Sequence, residues 1–387
     1  MRILHSGDLH LTNRGTLAGK YVIRNGVNLN LADKILSIRG ICEYAEEHKL
    51  DLIVIAGDLF NESNPESLAI KVAVEAIERL AEQAPAVIVR GNHDGKTEIA
   101  SALSMFGKSQ RRFGIYVSER PEIIPILSKQ RKIQVFTLPY PLKSALSANP
   151  QYKNLSPEEL SVLIGRKMEE ILSGFTAQFD KDAVNILVGH FTVSSGKYSR
   201  EQVVPPFDIS IRKEFLEKFD LALLGHLHEP QEYYCGTIAR NGFGEEGMRV
   251  GFKVHELTGS ERREEFVELA ARQYRTIPVE EFMKDGSVPF GGLDLETVIR
   301  IKGKIPKWQY QEAMGKMKAL SFPFIKNAIE VESDTVRVSE GEMSDEPSVE
   351  EAVRIWAKGK DGVDKFIDSL VNVTKDIEFK WRTEKGV

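Results

Sequence analysis

Five apolar runs in this chain each end in a glycine followed by residues able to ligate a metal ion. The clusters read Gly7-Asp8-Leu9-His10, Gly57-Asp58, Gly91-Asn92-His93-Asp94, Gly189-His190 and Gly225-His226-Leu227-His228. No other feature narrows the fold as far. Open α/β sheets gather their functional loops at strand carboxyl ends, so five such endings can bring distant residues into one crevice. Any single cluster has a plain structural explanation, because Asp and Asn are common turn formers and lone histidines sit in cores and loops. Five in order, each after an apolar run, point to a metal site instead.

The runs at 51–56, 86–89, 133–136, 184–188 and 221–224 are short and β-branched or leucine-rich, as strands buried on both faces are. Residues 68–82 place apolar side chains at helical intervals after Asn64-Pro65, which read as N-cap and first helical position. Ser156-Pro157-Glu158-Glu159 is a capping box for a helix carrying Leu160, Leu163, Ile164 and Ile171. Strand and helix in alternation predict an α/β sandwich. The glycine-rich stretch 233–252 predicts hairpins and turns that close a first domain, residues 1–270. A compact α+β unit at 276–338 follows, with a strand at 298–302, a helix near 308–320 and a strand at 328–331. An acidic linker, 339–347, leads into 348–387, where Ser348 and Glu351 form another capping box. Two apolar stripes follow there: Val349, Ala352, Val353 and Trp356, then Val363, Phe366, Ile367, Leu370 and Val371.

At 387 residues the chain exceeds one typical core, so two or three domains are expected. A net charge of −5 and a pI of about 6.0 argue against a dedicated basic nucleic-acid binder. They do not exclude an enzyme acting on DNA, because bound divalent ions add positive charge where phosphate docks. The basic run 108–112 reads as a solvated loop. Cys42 and Cys235 stand alone with no CxxC, which suits a reducing cytoplasm and excludes a disulfide scaffold or cysteine zinc site. No apolar run reaches the roughly 18 residues of a membrane span, and the N-terminus lacks the pattern of a signal peptide.

Oxygen donors from Asp and Asn with imidazole nitrogen suit manganese, iron or zinc rather than sulfur-bound metals. A bridging carboxylate can hold two cations about 3.5–4 Å apart, the separation used to activate water and neutralise phosphate oxygens in two-metal hydrolysis.

The order Asp-x-His, Gly-Asp, Gly-Asn-His-Asp, Gly-His, Gly-His-x-His resembles the calcineurin-like metallophosphoesterase superfamily, from Met1 to about His228. Within it, the stretches 3–11, 57–60 and 219–231 and the string Phe243-Gly244-Glu245 resemble the SbcD-type nucleases of DNA double-strand-break repair. The resemblance implies a β-sandwich flanked by helices, a small α+β capping domain that binds DNA, and a C-terminal helical segment. It implies two divalent ions, manganese before others. Asp8, His10 and His228 would hold the first, Asn92, His190 and His226 the second, and Asp58 would bridge them. His93 would contact the scissile phosphate and protonate the leaving oxygen, oriented by Asp94; an imidazole titrates near working pH and suits that task. The resemblance further implies exonuclease and endonuclease action in DNA end processing and recombination, in the cytoplasm at the nucleoid, by a homodimer. The terminal helices would dock on an SbcC-like SMC-family ATPase through Val349, Val353, Trp356, Phe366, Ile367 and Leu370.

One position departs from the pattern. Some members carry a histidine just after the Gly-Asp-x-Phe string, where this chain has Asn61. Its amide can hydrogen-bond a substrate phosphate but cannot give up a proton as an imidazolium does, which puts the balance of exonuclease and endonuclease action in question. His5, within an apolar strand ahead of the first ligand, reads as structural or as a support behind the ligands, and His48 and His255 as surface or turn residues. Residues two apart in an extended strand share a side, so sending His226 and His228 to different metals requires the chain to turn at Leu227.

Two other classes fit the same residues. One is a phosphodiesterase or phosphatase acting on a small molecule or phosphoprotein; the other is a non-catalytic scaffold that recruits the ATPase. The complete ligand set argues against the scaffold, and the small unit and terminal helices favour the nuclease.

Overall fold

The structure, a computed structural model, describes residues 1–94, 114–128, 131–141, 152–199, 208–259, 261–284 and 293–332, and beyond them 368–369 and 372–373. It divides into two units, Met1–Val331 and Glu332–Val387. The basic run 108–112, the linker 339–347, and Val349, Val353, Trp356, Phe366, Ile367 and Leu370 all lie outside the described residues. Among the described residues, no helix is long and apolar enough to cross a membrane.

In chain order the first unit runs β1 (Arg2–Ser6), β2 (Ile23–Arg24), β3 (Val27–Asn28), α1 (Leu29–Glu47), β4 (Leu52–Ala56), α2 (Ser67–Ala81), β5 (Ala86–Val89), β6 (Ile115–Ser118), β7 (Glu122–Leu127) and β8 (Lys132–Leu138). It continues with α3 (Pro157–Thr176), β9 (Ala183–His190), β10 (Thr192–Val193), β11 (Ser210–Ile211), β12 (Leu221–Gly225), β13 (Gly251–Thr258) and β14 (Glu261–Glu268). Last come β15 (Tyr274–Pro278), α4 (Val279–Met283), β16 (Val298–Ile305), α5 (Lys307–Lys318) and β17 (Ile325–Val331).

Two sheets form the sandwich, one ordered β14-β13-β1-β4-β5-β6 and the other β12-β9-β8-β7. Side chains alternate across each strand, and here both faces are covered. Ile3, Val54 and Val87 of the larger sheet meet Val135, Ile186 and Leu223 of the smaller one between the sheets. On its outer face the larger sheet sets Leu4, Ile53, Ile55 and Ile88 against Ile38 and Ile41 of α1 and Ala73, Ile77 and Leu80 of α2. The smaller sheet sets Phe136, Leu187 and Leu224 against Leu160, Ile164, Met168 and Leu172 of α3. Double-sided burial is why these strands read as unbroken apolar runs. The result is the mixed α/β sandwich expected of a metallophosphoesterase. Strands β1, β4 and β5 are mutually parallel, as are β9 and β12, so their carboxyl ends deliver five loops.

The helix starts differ in how they are made. Ser156 and Glu159 form the expected capping box, with Pro157 at the first position. Helix α2, by contrast, begins at Ser67 with Glu66 as its cap residue rather than at Asn64-Pro65, and no side chain caps it. The Glu66 carboxylate is drawn away to the Asn13 N–H at 3.2 Å and to Arg14 Nε at 2.7 Å.

The stretch 233–250 forms no hairpin. It is an irregular path with a 3₁₀ turn at Phe243–Glu245, pinned by the Arg240 guanidinium on the carbonyls of Met248, Ala271 and Arg272. The hairpin comes later, as β13–β14, and adds two antiparallel strands to β1. That register lays His255 beside Ile3. His255 is therefore buried in the sheet with its Nε2 3.4 Å from His5 Nδ1, and is not a surface or turn residue. The small module has one strand more than the sequence suggests: β15, β16 and β17 form a parallel sheet. Its Ile299, Ile301 and Ile305 pack on Ala313 and Met317 of α5.

Candidate metal centre

The β1 and β4 loops are zipped together by their backbones. Asp8 N–H donates to Gly57 O (3.0 Å), His10 N–H to Asp58 O (2.9 Å) and Leu11 N–H to Leu59 O (3.0 Å). This pairing holds Asp8, His10 and Asp58 in the left-handed region, at φ 49°, 47° and 48°, where L-residues rarely sit. Such strain persists where surrounding structure over-determines it, commonly at functional sites. Glycine is needed beside these ligands. A Cβ on Gly57 would lie 2.2 Å from His190 Nδ1, and one on Gly91 2.1 Å from Asp58 Oδ1.

The seven candidate ligands gather at one crevice. On one side, His10 Nε2 and His228 Nε2 face each other at 3.0 Å, with Asp8 Oδ1 4.0 Å from His10 Nε2. On the other, Asn92 Oδ1 lies 2.9 Å from His190 Nε2 and 3.0 Å from His226 Nδ1. Asp58 Oδ2 sits between them, 3.8 Å from His10 Nε2 and 3.3 Å from His190 Nε2. Among the described residues, three overlapping trios could each hold an ion: Asp8, His10 and His228; His10, Asp58 and His93; and Asp8, Asp58 and His190.

The hydrogen-bond pattern shows that these donors fit a cation. His190 Nδ1–H donates to the Ala56 carbonyl (2.8 Å), which makes Nε2 an acceptor whenever the ring is neutral. It points at two further acceptors, Asn92 Oδ1 and Asp58 Oδ2. Acceptors converging in a buried place require a positive charge among them. Without an ion, a proton on His190 meets that need. Burial would lower His190, yet the Asp58 carboxylate pushes it up to about 9. Burial would raise Asp58, but His190 and His10 hold it well below the usual carboxylate range. Hard oxygen and imidazole nitrogen donors suit divalent first-row ions.

The His226–His228 segment turns, but not at Leu227. His226 itself takes φ 100°, fixed by its N–H on both Asp8 oxygens at 3.0 Å. Leu227 is wholly buried, so it anchors the turn, and the two imidazoles reach opposite sides. His93, exposed at the mouth, donates its N–H to Asp58 Oδ1 at 2.8 Å. The role expected of Asp94 falls elsewhere. Its buried oxygens accept Phe60 N–H (2.9 Å) and Gly91 N–H (2.8 Å), donors that would otherwise lack partners. Burial first, then repulsion from Asp58, pushes Asp94 up to about 6. What fixes the His93 ring is the Asn61 main-chain carbonyl, 2.9 Å from Nδ1. Asn61 thus enters the site through its backbone.

Three supporting residues are not marked by any sequence pattern of ligand and glycine. Glu245 accepts from His228 Nδ1 at 2.6 Å, which leaves Nε2 bare toward His10. Asp208 Oδ1 lies 3.4 Å from His226 Nε2, and its other oxygen is held by Thr192 and Tyr198. Lys34, buried in α1, binds the His10 carbonyl. Glu245 alone had a signal, as the last letter of the Phe243-Gly244-Glu245 string.

A family model described as calcineurin-like phosphoesterase matches residues 1–230, and the chain belongs to that family. The class of protein is therefore a metal-dependent phosphoesterase. Within the family the chain is of the SbcD type. It is 30% identical over 273 residues to the SbcD subunit of nuclease SbcCD from Staphylococcus epidermidis, a match covering 67% of each chain.

Proposed function

We propose that this chain is a manganese-dependent DNA nuclease with exonuclease and endonuclease activity. It serves as the catalytic subunit beside an SbcC-like SMC-family ATPase in double-strand-break repair and recombination. The observation that carries this reading is the convergence of six oxygen and nitrogen ligands around a seventh, Asp58, in a chain similar to a nuclease subunit.

In this reading Asp8, His10 and His228 would hold one ion, Asn92, His190 and His226 would hold the other, and Asp58 would serve both. The ions, when bound, supply Lewis acidity that lowers the pKa of water and neutralises phosphate charge. The protein does the rest. His93, with Nδ1 engaged by Asn61, turns Nε2 to the scissile phosphate and delivers a proton to the leaving oxygen. Asp58 sets the position of His93 through its backbone N–H.

The small module supports a DNA substrate. Arg300, Lys302 and Lys304 alternate along β16, and Lys326 of β17 lies in register with Arg300. Their sheet face is the one opposite the isoleucines packed on α5. A basic row of this kind suits phosphate contacts that position a duplex without reading its sequence. We further assign 276–338 as the capping domain and residues 348–387 as the ATPase dock. The protein works as a homodimer, in the cytoplasm at the nucleoid.

The test is cleavage of single-stranded and duplex DNA with added manganese, with and without an SbcC-like ATPase. Nitrophenyl phosphates and cyclic nucleotides serve as comparators. Cleavage of DNA supports the reading. Turnover of the small esters with intact DNA would replace it with a small-molecule phosphodiesterase.

A further inference from the structure

The 3₁₀ turn Phe243–Glu245 reaches the metal centre and the small module at once. On the side of the centre, Glu245 is almost wholly buried and accepts from His228 Nδ1 at 2.6 Å. The same carboxylate receives the Asn241 backbone N–H, so its own position is set by the turn. On the side of the module, the Phe243 ring lies under the Arg300 guanidinium at 4.5 Å and Lys326 Nζ at 5.9 Å, and edge-on to Tyr274 at 5.2 Å. Glu246, the next residue, accepts the Thr276 N–H of β15 on both oxygens at 2.9 Å. One short turn therefore has its ring and one carboxylate bound to all three strands of the small sheet, and its other carboxylate bound to a candidate ligand.

We propose that Glu245 is the positioning residue for His228, and that the small sheet sets this hold through Phe243 and Glu246. The hydrogen bond fixes the ring with Nδ1 protonated and Nε2 bare, the form a ligand needs, and adds electron density to it. Partners of this kind govern metal affinity nearly as strongly as the ligands themselves. Movement of the β15–β17 sheet then reaches one ion selectively. The other ion's candidate ligands are held from elsewhere, His190 by the Ala56 carbonyl and His226 by Asp8 and Asp208. The inference rests on the dinuclear reading above.

The experiment titrates the metal-stripped full chain with manganese alone, counting free ion by electron paramagnetic resonance. The ring nitrogens of His228 are followed by nitrogen NMR. Wild type should take up two ions. Glu245→Ala should weaken one of them by about 10–100-fold and leave the other within about twofold. Glu245→Gln, whose amide oxygen still accepts, should lose less. Phe243→Leu keeps the bulk but not the cation–π contacts, and should weaken the same ion while thermal unfolding stays cooperative. Equal weakening of both ions, or an unchanged His228 tautomer in Glu245→Ala, would overturn the role of Glu245. Wild-type uptake by a folded Phe243→Leu would overturn the link to the sheet. If wild type binds no ion pair, the dinuclear reading fails instead, and the His228 spectrum then decides separately whether the turn holds the ring.

Discussion

Asp58 and His93 stand next to each other in the site but bear on different things. Asp58 faces candidate ligands on both sides, whereas His93 contributes a backbone donor to Asp58 and an exposed ring. Asp58→Asn should therefore cost metal affinity by more than the roughly 10–100-fold typical of an outer partner, measured as bound manganese per chain. His93→Leu should keep both ions and lower DNA cleavage by about 10²–10⁴-fold, the usual contribution of an acid catalyst. Loss of both ions in His93→Leu would place it among the ligands. A second residue-scale prediction concerns acid. Burial first, then Lys253 and Arg262, lowers His255 to about 3, and burial with His255 and Lys253 lowers its neighbour His5. Glu264 Oε2, 3.6 Å from His255 Nδ1, is half exposed and does not offset this. The unfolded chain binds these protons near pH 6.5, so stability falls as pH drops from 6.5 toward 3. His255→Gln removes one such group and should spare the metal-free protein about 2 kcal/mol of the loss between pH 6.5 and 4.5. Urea unfolding across that range checks it, and identical acid limbs in the two proteins would refute it.

At the scale of elements, the helix starts separate local from tertiary causes. Helix α3 is begun by residues adjacent in sequence, with Glu159 N–H donating to Ser156 Oγ at 3.2 Å and Ser156 N–H to Glu159 Oε2 at 2.8 Å. Ser156→Ala should lower stability by about 1 kcal/mol, seen as a lower urea midpoint with an unchanged slope. Helix α2 has no such cap because Glu66 is committed to Asn13 and Arg14 in the β1 loop. The loops show the same division. Each glycine before a ligand is visible in sequence, but what it avoids comes from another segment: the His190 side chain for Gly57, the Asp58 side chain for Gly91 and the Ala56 carbonyl for Gly225.

At the scale of the whole unit, Arg272 joins three places. Its guanidinium is bidentate on Asp33 of α1 (2.7 and 2.8 Å), pairs with Glu296 before β16 (2.8 Å), and lies 5.5 Å from the Phe324 ring centre. Removing one partner of a buried pair costs about 3–5 kcal/mol. Glu296 is two-fifths exposed, so Arg272→Ala should cost less, about 2–3 kcal/mol, measured by chemical unfolding of the metal-free chain. A loss below about 0.5 kcal/mol, the level of an ordinary surface substitution, would show that the small sheet needs no tie to α1.

The sequence by itself determined the layered α/β class, because strands buried on both faces must be apolar throughout. It marked the candidate ligands too, because each lies within three residues after a glycine at a strand end. Tertiary structure alone decided what surrounds them. Asp94 turned to backbone donors, Asn61 acted through its carbonyl, and His255 entered the core when β13 paired with β1. Glu245 and Asp208 reached His228 and His226 from separate loops. Local patterns report which side chains a strand must bury or a turn must place. The partner of a buried polar atom is set by chain segments that meet only on folding, and no spacing within one segment records it.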